Sequence, residues 1–94
     1  MRKCYKCGTT EGLHRHHVFF SANRKISEKY GFVEDLCHSH HTGDKGVHFD
    51  REFDLQLKRK HQLIFELDKM SDGISRDEAR KEWLSIVGRN YLED

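Results

Sequence analysis

Cys4-Tyr5-Lys6-Cys7 and Cys37-His38-Ser39-His40 are two pairs of metal-binding residue types, each pair three positions apart, separated by residues 8–36. Two ligands so spaced on a turn reach one ion from the same side. Two such turns close a tetrahedral site, in which soft thiolates favour Zn²⁺. A Cys3His set also accounts for the odd cysteine count, which no framework of intrachain disulfides does. His38 or His41 could stand in for His40, but the two-residue gap to His40 matches the first pair best. The alternative is three reduced thiols in a cytosolic protein. A structural, closed site is expected, its binding free energy being largely folding free energy.

That assignment leaves His14, His16, His17, His38, His41 and His48 over. His16 and His17 are adjacent on an expected strand, so their side chains point to opposite faces. This suits a division of labour in which one imidazole binds a metal and its neighbour faces a substrate as a base. His41 follows His40 directly, on the element that zinc would hold, so a zinc-pinned hairpin brings it to His16 and His17. The alternative is surface histidines or histidines that support the zinc site. Phosphodiester hydrolysis needs a base near neutrality and a cation for the developing charge, which an imidazole and one divalent ion supply. No cluster of carboxylates lies between the histidines; the adjacent pair Glu34-Asp35 reads as a solvated strand end. Arg15, Arg24, Lys25 and Lys29 flank the histidines and would contact phosphates without reading sequence. Tyr30 or Phe20 would stack on a base, or pack in the core.

The order CxxC, a strand ending in His16-His17-Val18, an Asn-containing loop and then Leu36-Cys37-x-x-His40-His41 resembles the HNH endonucleases. These are the His-Me finger or ββα-metal nucleases, here in their zinc-stabilised form. The resemblance spans residues 4 to about 48, and many relatives carry Cys-His where this chain has His40-His41. It implies a metal-dependent endonuclease acting on DNA, phage-like in its small size. Carried over residue by residue, His16 would bind the catalytic divalent ion (Mg²⁺, Mn²⁺, Ni²⁺ or Zn²⁺), His17 would be the general base, and His41 a second metal ligand. Asn23, the one Asn between the histidines, would buttress the loop that orients His17. Some relatives add a further His, for which His48 is the candidate. Seven residues from His41 are about 10 Å along an unbroken helix, so Gly43 and Gly46 must turn the chain back. The rival class is a catalytically silent, zinc-stabilised module of phage origin that binds nucleic acid or protein, such as an inhibitor of a host defence nuclease.

These residues need elements to hold them. Leu13 to Phe20 reads as a strand and Gly31 to Leu36 as its partner, with a basic loop and a helical turn closed by Gly31 between them. A short helix is expected from Cys37 to Gly43 or Gly46. In the second half Phe53, Leu57, His61, Ile64 and Asp68 follow helical spacing, and Leu63 and Leu67 widen the stripe. Asp50 is a half-formed start signal, and Met70-Ser71-Asp72-Gly73 breaks the helix. Ser75-Arg76-Asp77-Glu78 is a capping box, followed by Ala79, Trp83, Ile86 and Val87 on one face and Gly88 as a stop. The expected class is α+β: a small ββα-metal (His-Me finger) core with a structural zinc knuckle over residues 1–48, then two C-terminal helices over 49–94. Those helices would pack on the core or on a second chain through Phe53, Leu57, Ile64, Trp83 and Ile86, and a homodimer is possible.

The chain has 94 residues, 35% hydrophobic and 35% charged, with a mean hydropathy of -0.90. So short and polar a chain buries little apolar area and needs a staple. No apolar run approaches the roughly 20 residues of a bilayer span, so no membrane association is expected. Met1-Arg2-Lys3-Cys4 leads into polar sequence without a secretory apolar region, so the cytoplasm, that of a host if phage-encoded, is the expected location. Net charge is +1, but residues 1–48 carry eight Lys/Arg against five Asp/Glu and residues 49–94 nine against eleven. That asymmetry points weakly to an anionic partner at the histidine-rich end, with DNA the expected one.

Overall fold

The computed structural model describes residues 2–19, 23–43 and 46–92. Its elements run β1 (Leu13–His17), α1 (Arg24–Tyr30), β2 (Val33–Cys37), α2 (His38–His41), α3 (Arg51–Ser71) and α4 (Arg76–Val87), an α+β arrangement. The chain forms two compact units, Met1–Asp54 and Leu55–Asp94, divided inside α3.

In the first unit β1 and β2 pair antiparallel in a register running from Leu13↔Cys37 to His17↔Val33. Directly opposed residues share a face, so His14, His16, Glu34 and Leu36 line one side and Arg15, His17 and Asp35 the other. β1 stops at His17, short of Phe20, which lies outside the described residues. The Val18 N–H still reaches Phe32 O at 2.9 Å. The next residue turns to α1 instead: the Phe19 N–H donates to Ser27 Oγ at 2.9 Å, and that hydroxyl donates back to Phe19 O at 2.6 Å. β2 begins at Val33 because Gly31 ends α1 in the left-handed region, φ 74°, with its N–H on Ser27 O.

A two-stranded hairpin is marginal in water by itself. Here Val18, Phe19, Phe32, Leu36, Val47 and Phe53 are buried around it, and Phe19 meets Phe32 edge-on at 5.6 Å. The N-terminal knuckle is tied by Gly8 N–H to Cys4 O at 2.9 Å and Cys4 N–H to Thr9 O at 2.8 Å. It is fastened to β2 by Tyr5 N–H to Asp35 O at 2.8 Å.

After α2 the chain folds back on itself. Gly46 N–H donates to Gly43 O at 2.8 Å and Val47 N–H to His40 O at 2.9 Å. A Cβ on Gly43 would lie 2.8 Å from Ser39 O, and one on Gly46 would lie 2.7 Å from His41 O. Both are therefore glycine for close backbone approach. Asp50 Oδ1 then accepts from Phe53 N–H at 3.1 Å and caps α3.

In the second unit the buried residues are Leu57, His61, Gln62, Glu66, Ala79 and Trp83. The Ser75 half of the capping box forms, its Oγ accepting from Glu78 N–H at 3.2 Å, while the Glu78 carboxylate lies 3.6 Å from Lys81 Nζ. Gly88 closes α4 in the left-handed region. The expected apolar seam is corrected: Ile64 is 52% exposed, with Leu63 and Leu67 at 47% and 54%. The buried face of α3 passes instead through Gln62 and Glu66, one turn apart. Arg80 of α4 grips Glu66 with two bonds of 2.7 and 3.1 Å. Gln62 donates to Asn90 Oδ1 at 2.8 Å and accepts from Tyr91 N–H at 2.6 Å. Trp83 is the large apolar anchor, 5.5 Å from Phe65 and donating from Nε1 to Arg89 O at 2.8 Å. Ile86 is only half-buried.

Candidate metal centres

The ligand atoms of Cys4, Cys7, Cys37 and His40 lie within 4.8 Å of one another. Cys7 Sγ is 3.8 Å from Cys37 Sγ. His40 Nδ1 is 3.2 Å from Cys37 Sγ and 3.8 Å from Cys4 Sγ. A tetrahedron with Zn–S arms of about 2.3 Å has edges of roughly 3.8 Å, close to two of these separations, so the four donors could hold such an ion. The same separation is far beyond the roughly 2.05 Å of a disulfide, and all three cysteines are free. The site is assembled from two turns: the Cys4–Cys7 knuckle, and the junction where β2 ends at Cys37 and α2 carries His40 one turn on.

Electrostatics prepare the set for a cation. Burial works to raise the Cys4 thiol, but backbone N–H groups of Cys37, Cys7 and Lys6 outweigh it and hold it at about 6. The Thr9 backbone N–H favours the Cys7 thiolate, yet burial and the neighbouring Cys4 and Cys37 sulfurs leave Cys7 raised overall. Three crowded thiols oppose each other's ionisation, and a bound dication relieves that opposition.

A second cluster lies on the opposite side of α2. The ligand atoms of His16, His41 and His48 are within 4.8 Å of one another, with ring centroids 5.0 to 5.4 Å apart. His16 comes from the covered face of β1 and is 2% exposed. His41 comes from α2, and His48 arrives through the reversal at Gly43 and Gly46 that the sequence required of it. Burial, then the charges of His48, His14 and His38, lower the His41 pKa, which favours the neutral imidazole a metal needs. Three imidazoles so gathered could hold a metal ion, and such nitrogen donors suit Zn²⁺ or Ni²⁺ better than Mg²⁺. His14 joins from β1: its Nδ1 is 2.9 Å from His41 Nδ1, which leaves Nε2 of His41 for an ion and fixes the ring.

His17 points to the other face of β1, as adjacent strand positions must. The expectation that the hairpin brings His41 to both His16 and His17 is therefore corrected: the cluster gathers His16, His41 and His48 and does not include His17. The His17 Nε2 is 2.6 Å from Glu28 Oε1, and Glu28 Oε2 accepts from Arg15 at 3.2 Å. The bond from His17, with Arg15 adding to it, holds the Glu28 carboxyl below its ordinary range. An ionised carboxylate only accepts, so Nε2 carries the hydrogen and neutral His17 keeps its lone pair on Nδ1. Glu28 is a residue that sequence reasoning passed over. It sits 11 positions away on α1, and only its place on α1 facing the end of β1 marks it.

The remaining candidates divide. Asn23 stands exposed at the N-terminal cap of α1 without a side-chain capping bond, and Glu28 is the residue that braces His17. Arg15 is engaged with Glu28. Arg24, Lys25 and Lys29 are exposed on α1, Lys29 lying 5.4 Å over the Tyr30 ring. Tyr30 stacks on Phe32 at 5.7 Å. Asp35 is paired with Arg2 at 2.7 Å. No helix among the described residues is long and apolar enough to cross a membrane. Searches against family models, curated proteins and solved structures find no match to the chain.

Proposed function

We propose that this chain is a metal-dependent DNA endonuclease of the HNH type, its first unit a zinc-stapled ββα-metal core. The observation that carries the reading is the convergence of His16, His41 and His48, with His17, braced by Glu28, next to His16 in the chain and facing the other side of β1. A zinc knuckle alone requires none of the four. In this reading Cys4, Cys7, Cys37 and His40 hold a structural zinc, and His16, His41 and His48 hold a second divalent ion. That ion supplies positive charge for the developing phosphorane and the leaving 3′ oxygen. The chain's own part is positioning and proton transfer. His17 Nδ1 takes the proton of the attacking water, and Glu28 stabilises the imidazolium that results while fixing the ring. Arg24, Lys25 and Lys29 attract the phosphate backbone and make binding salt-dependent.

The Arg15–Glu28–His17 network is also what a purely structural histidine would possess, and it favours the second reading, a silent nucleic-acid- or protein-binding module. Plasmid nicking with Zn²⁺, Ni²⁺, Mn²⁺, Mg²⁺ and chelator lanes separates the two. His17→Ala is expected to keep zinc content and fold while hydrolysis falls by roughly 10²–10⁴-fold. His16→Ala and His41→Ala are expected to raise the metal concentration needed. Wild-type rates in a verified His17→Ala preparation would eliminate the mechanism.

A further inference from the structure

A pocket of about 270 Å³ opens beside the histidine cluster, lined by Val47, His48, Phe49, Arg51 and Asp54. Phe49 is 72% exposed, more than any other large hydrophobic side chain described. Most of an aromatic ring is thus left in water one residue from a metal-cluster histidine, in a unit whose other phenylalanines described, Phe19, Phe32 and Phe53, are buried. The pocket is smaller than the usual 300–1,000 Å³ or so of small-molecule sites, but has room for one flat ring.

We propose that this pocket receives one unpaired nucleobase of the DNA strand whose phosphate lies at the histidine cluster, the base stacking on Phe49. The inference rests on the nuclease reading, and gives that site a substrate class: DNA with a single-stranded or extrahelical nucleotide beside the scissile bond. His48 belongs to both the pocket wall and the cluster, so an occupant of the pocket is next to whatever the cluster binds. The Asp54 carboxylate opposes a phosphate inside the pocket and suits the exocyclic amino group of a base. Arg51, exposed at the first turn of α3, meets the phosphate outside it. A base within a duplex is already stacked and cannot lie on Phe49 without leaving the helix, which an unpaired base does at little cost.

The test uses the zinc-loaded full chain, a fluorescein-labelled single-stranded oligonucleotide and hairpins with or without a one-nucleotide bulge. Anisotropy and cleavage are read on wild type, Phe49→Ala and Phe49→Trp. Stacking on one ring predicts that Phe49→Ala weakens single-strand binding by about 5- to 150-fold and removes the preference for the bulged hairpin. Phe49→Trp should restore both. Because Phe49 is exposed, zinc content and circular dichroism should match wild type in each variant. Equal single-strand affinity of wild type and Phe49→Ala would overturn the proposal, as would wild type cleaving both hairpins alike. Plasmid nicking by the same wild-type preparation reads the nuclease proposal separately: binding through Phe49 with no hydrolysis by any metal form sinks that reading and leaves the base site standing.

Discussion

At the scale of single residues, what distinguishes the histidines is what sits behind each ring. His41 is braced by His14 and His17 by Glu28, which in the proposed nuclease would fix one as a ligand and the other as a base. In the proposed nuclease Glu28 would act through His17, as a positioning residue. Glu28→Ala is expected to lower the nicking rate by about 10- to 100-fold, the usual effect of losing such a brace, with little change in metal affinity. Glu28→Gln keeps an oxygen that accepts from Nε2 and should recover most of the rate. Comparing the maximal rate with the metal titration for both variants checks this, since a merely structural carboxylate would move neither in that pattern. His14→Ala is expected to do the converse, raising the metal concentration at half-maximal activity through a His41 ring left unbraced.

At the scale of elements, the α3–α4 pair is held by polar grips as much as by apolar burial. The Glu66 side chain is 3% exposed and Arg80 19%, and removing one partner leaves the other charge largely buried. Glu66→Ala should cost about 2–4 kcal/mol, measured by urea unfolding followed through Trp83. Burial works to raise the Glu66 carboxyl, but the Arg80 bonds, the Gln62 amide and the Arg80 and Arg76 charges prevail and lower it. A lowered folded value means the grip contributes fully above the ordinary carboxylate range near 4.5. The contribution fades as pH falls through the lower folded value. The Glu66→Gln variant should therefore lose stability at neutral pH and show a flatter acid limb than wild type. Ser75→Ala, which removes the α4 cap, is expected to cost about 1 kcal/mol.

At the scale of the whole molecule, a chain of 94 residues that buries so few large side chains is expected to gain much of its stability from bound metal. Elemental analysis should find two ions per chain after loading with Zn²⁺. One survives mild chelation at Cys4, Cys7, Cys37 and His40, and one is lost readily from the three histidines. Cys37→Ala should abolish most of the first unit's structure by circular dichroism, because removing that ligand removes folding energy. For the expected homodimer, the face of α3 to be covered is the exposed row Leu63, Ile64, Leu67 and Met70. Light scattering should give a dimer mass that Leu67→Lys reduces to the monomer.

Short-range rules made much of this protein readable before any coordinates. The CxxC and CxxH spacings, the Ser75 cap and the Gly31 and Gly88 stops each depend on residues within a few positions of one another. Covalent geometry and local hydrogen bonding suffice to determine such features. Tertiary structure decided the rest. Whether His48 joins His16 and His41 depends on how tightly the chain turns at Gly43 and Gly46, a matter of backbone approach to Ser39 and His41. Glu28 became the partner of His17 because α1 packs against the end of β1. The buried face of α3 runs through Gln62 and Glu66 and leaves Ile64 in water, because Arg80, Asn90 and Tyr91 lie 14 to 29 residues away and satisfy those polar groups. Hydrophobic periodicity alone cannot anticipate that a buried amide and carboxylate will find their partners across a loop.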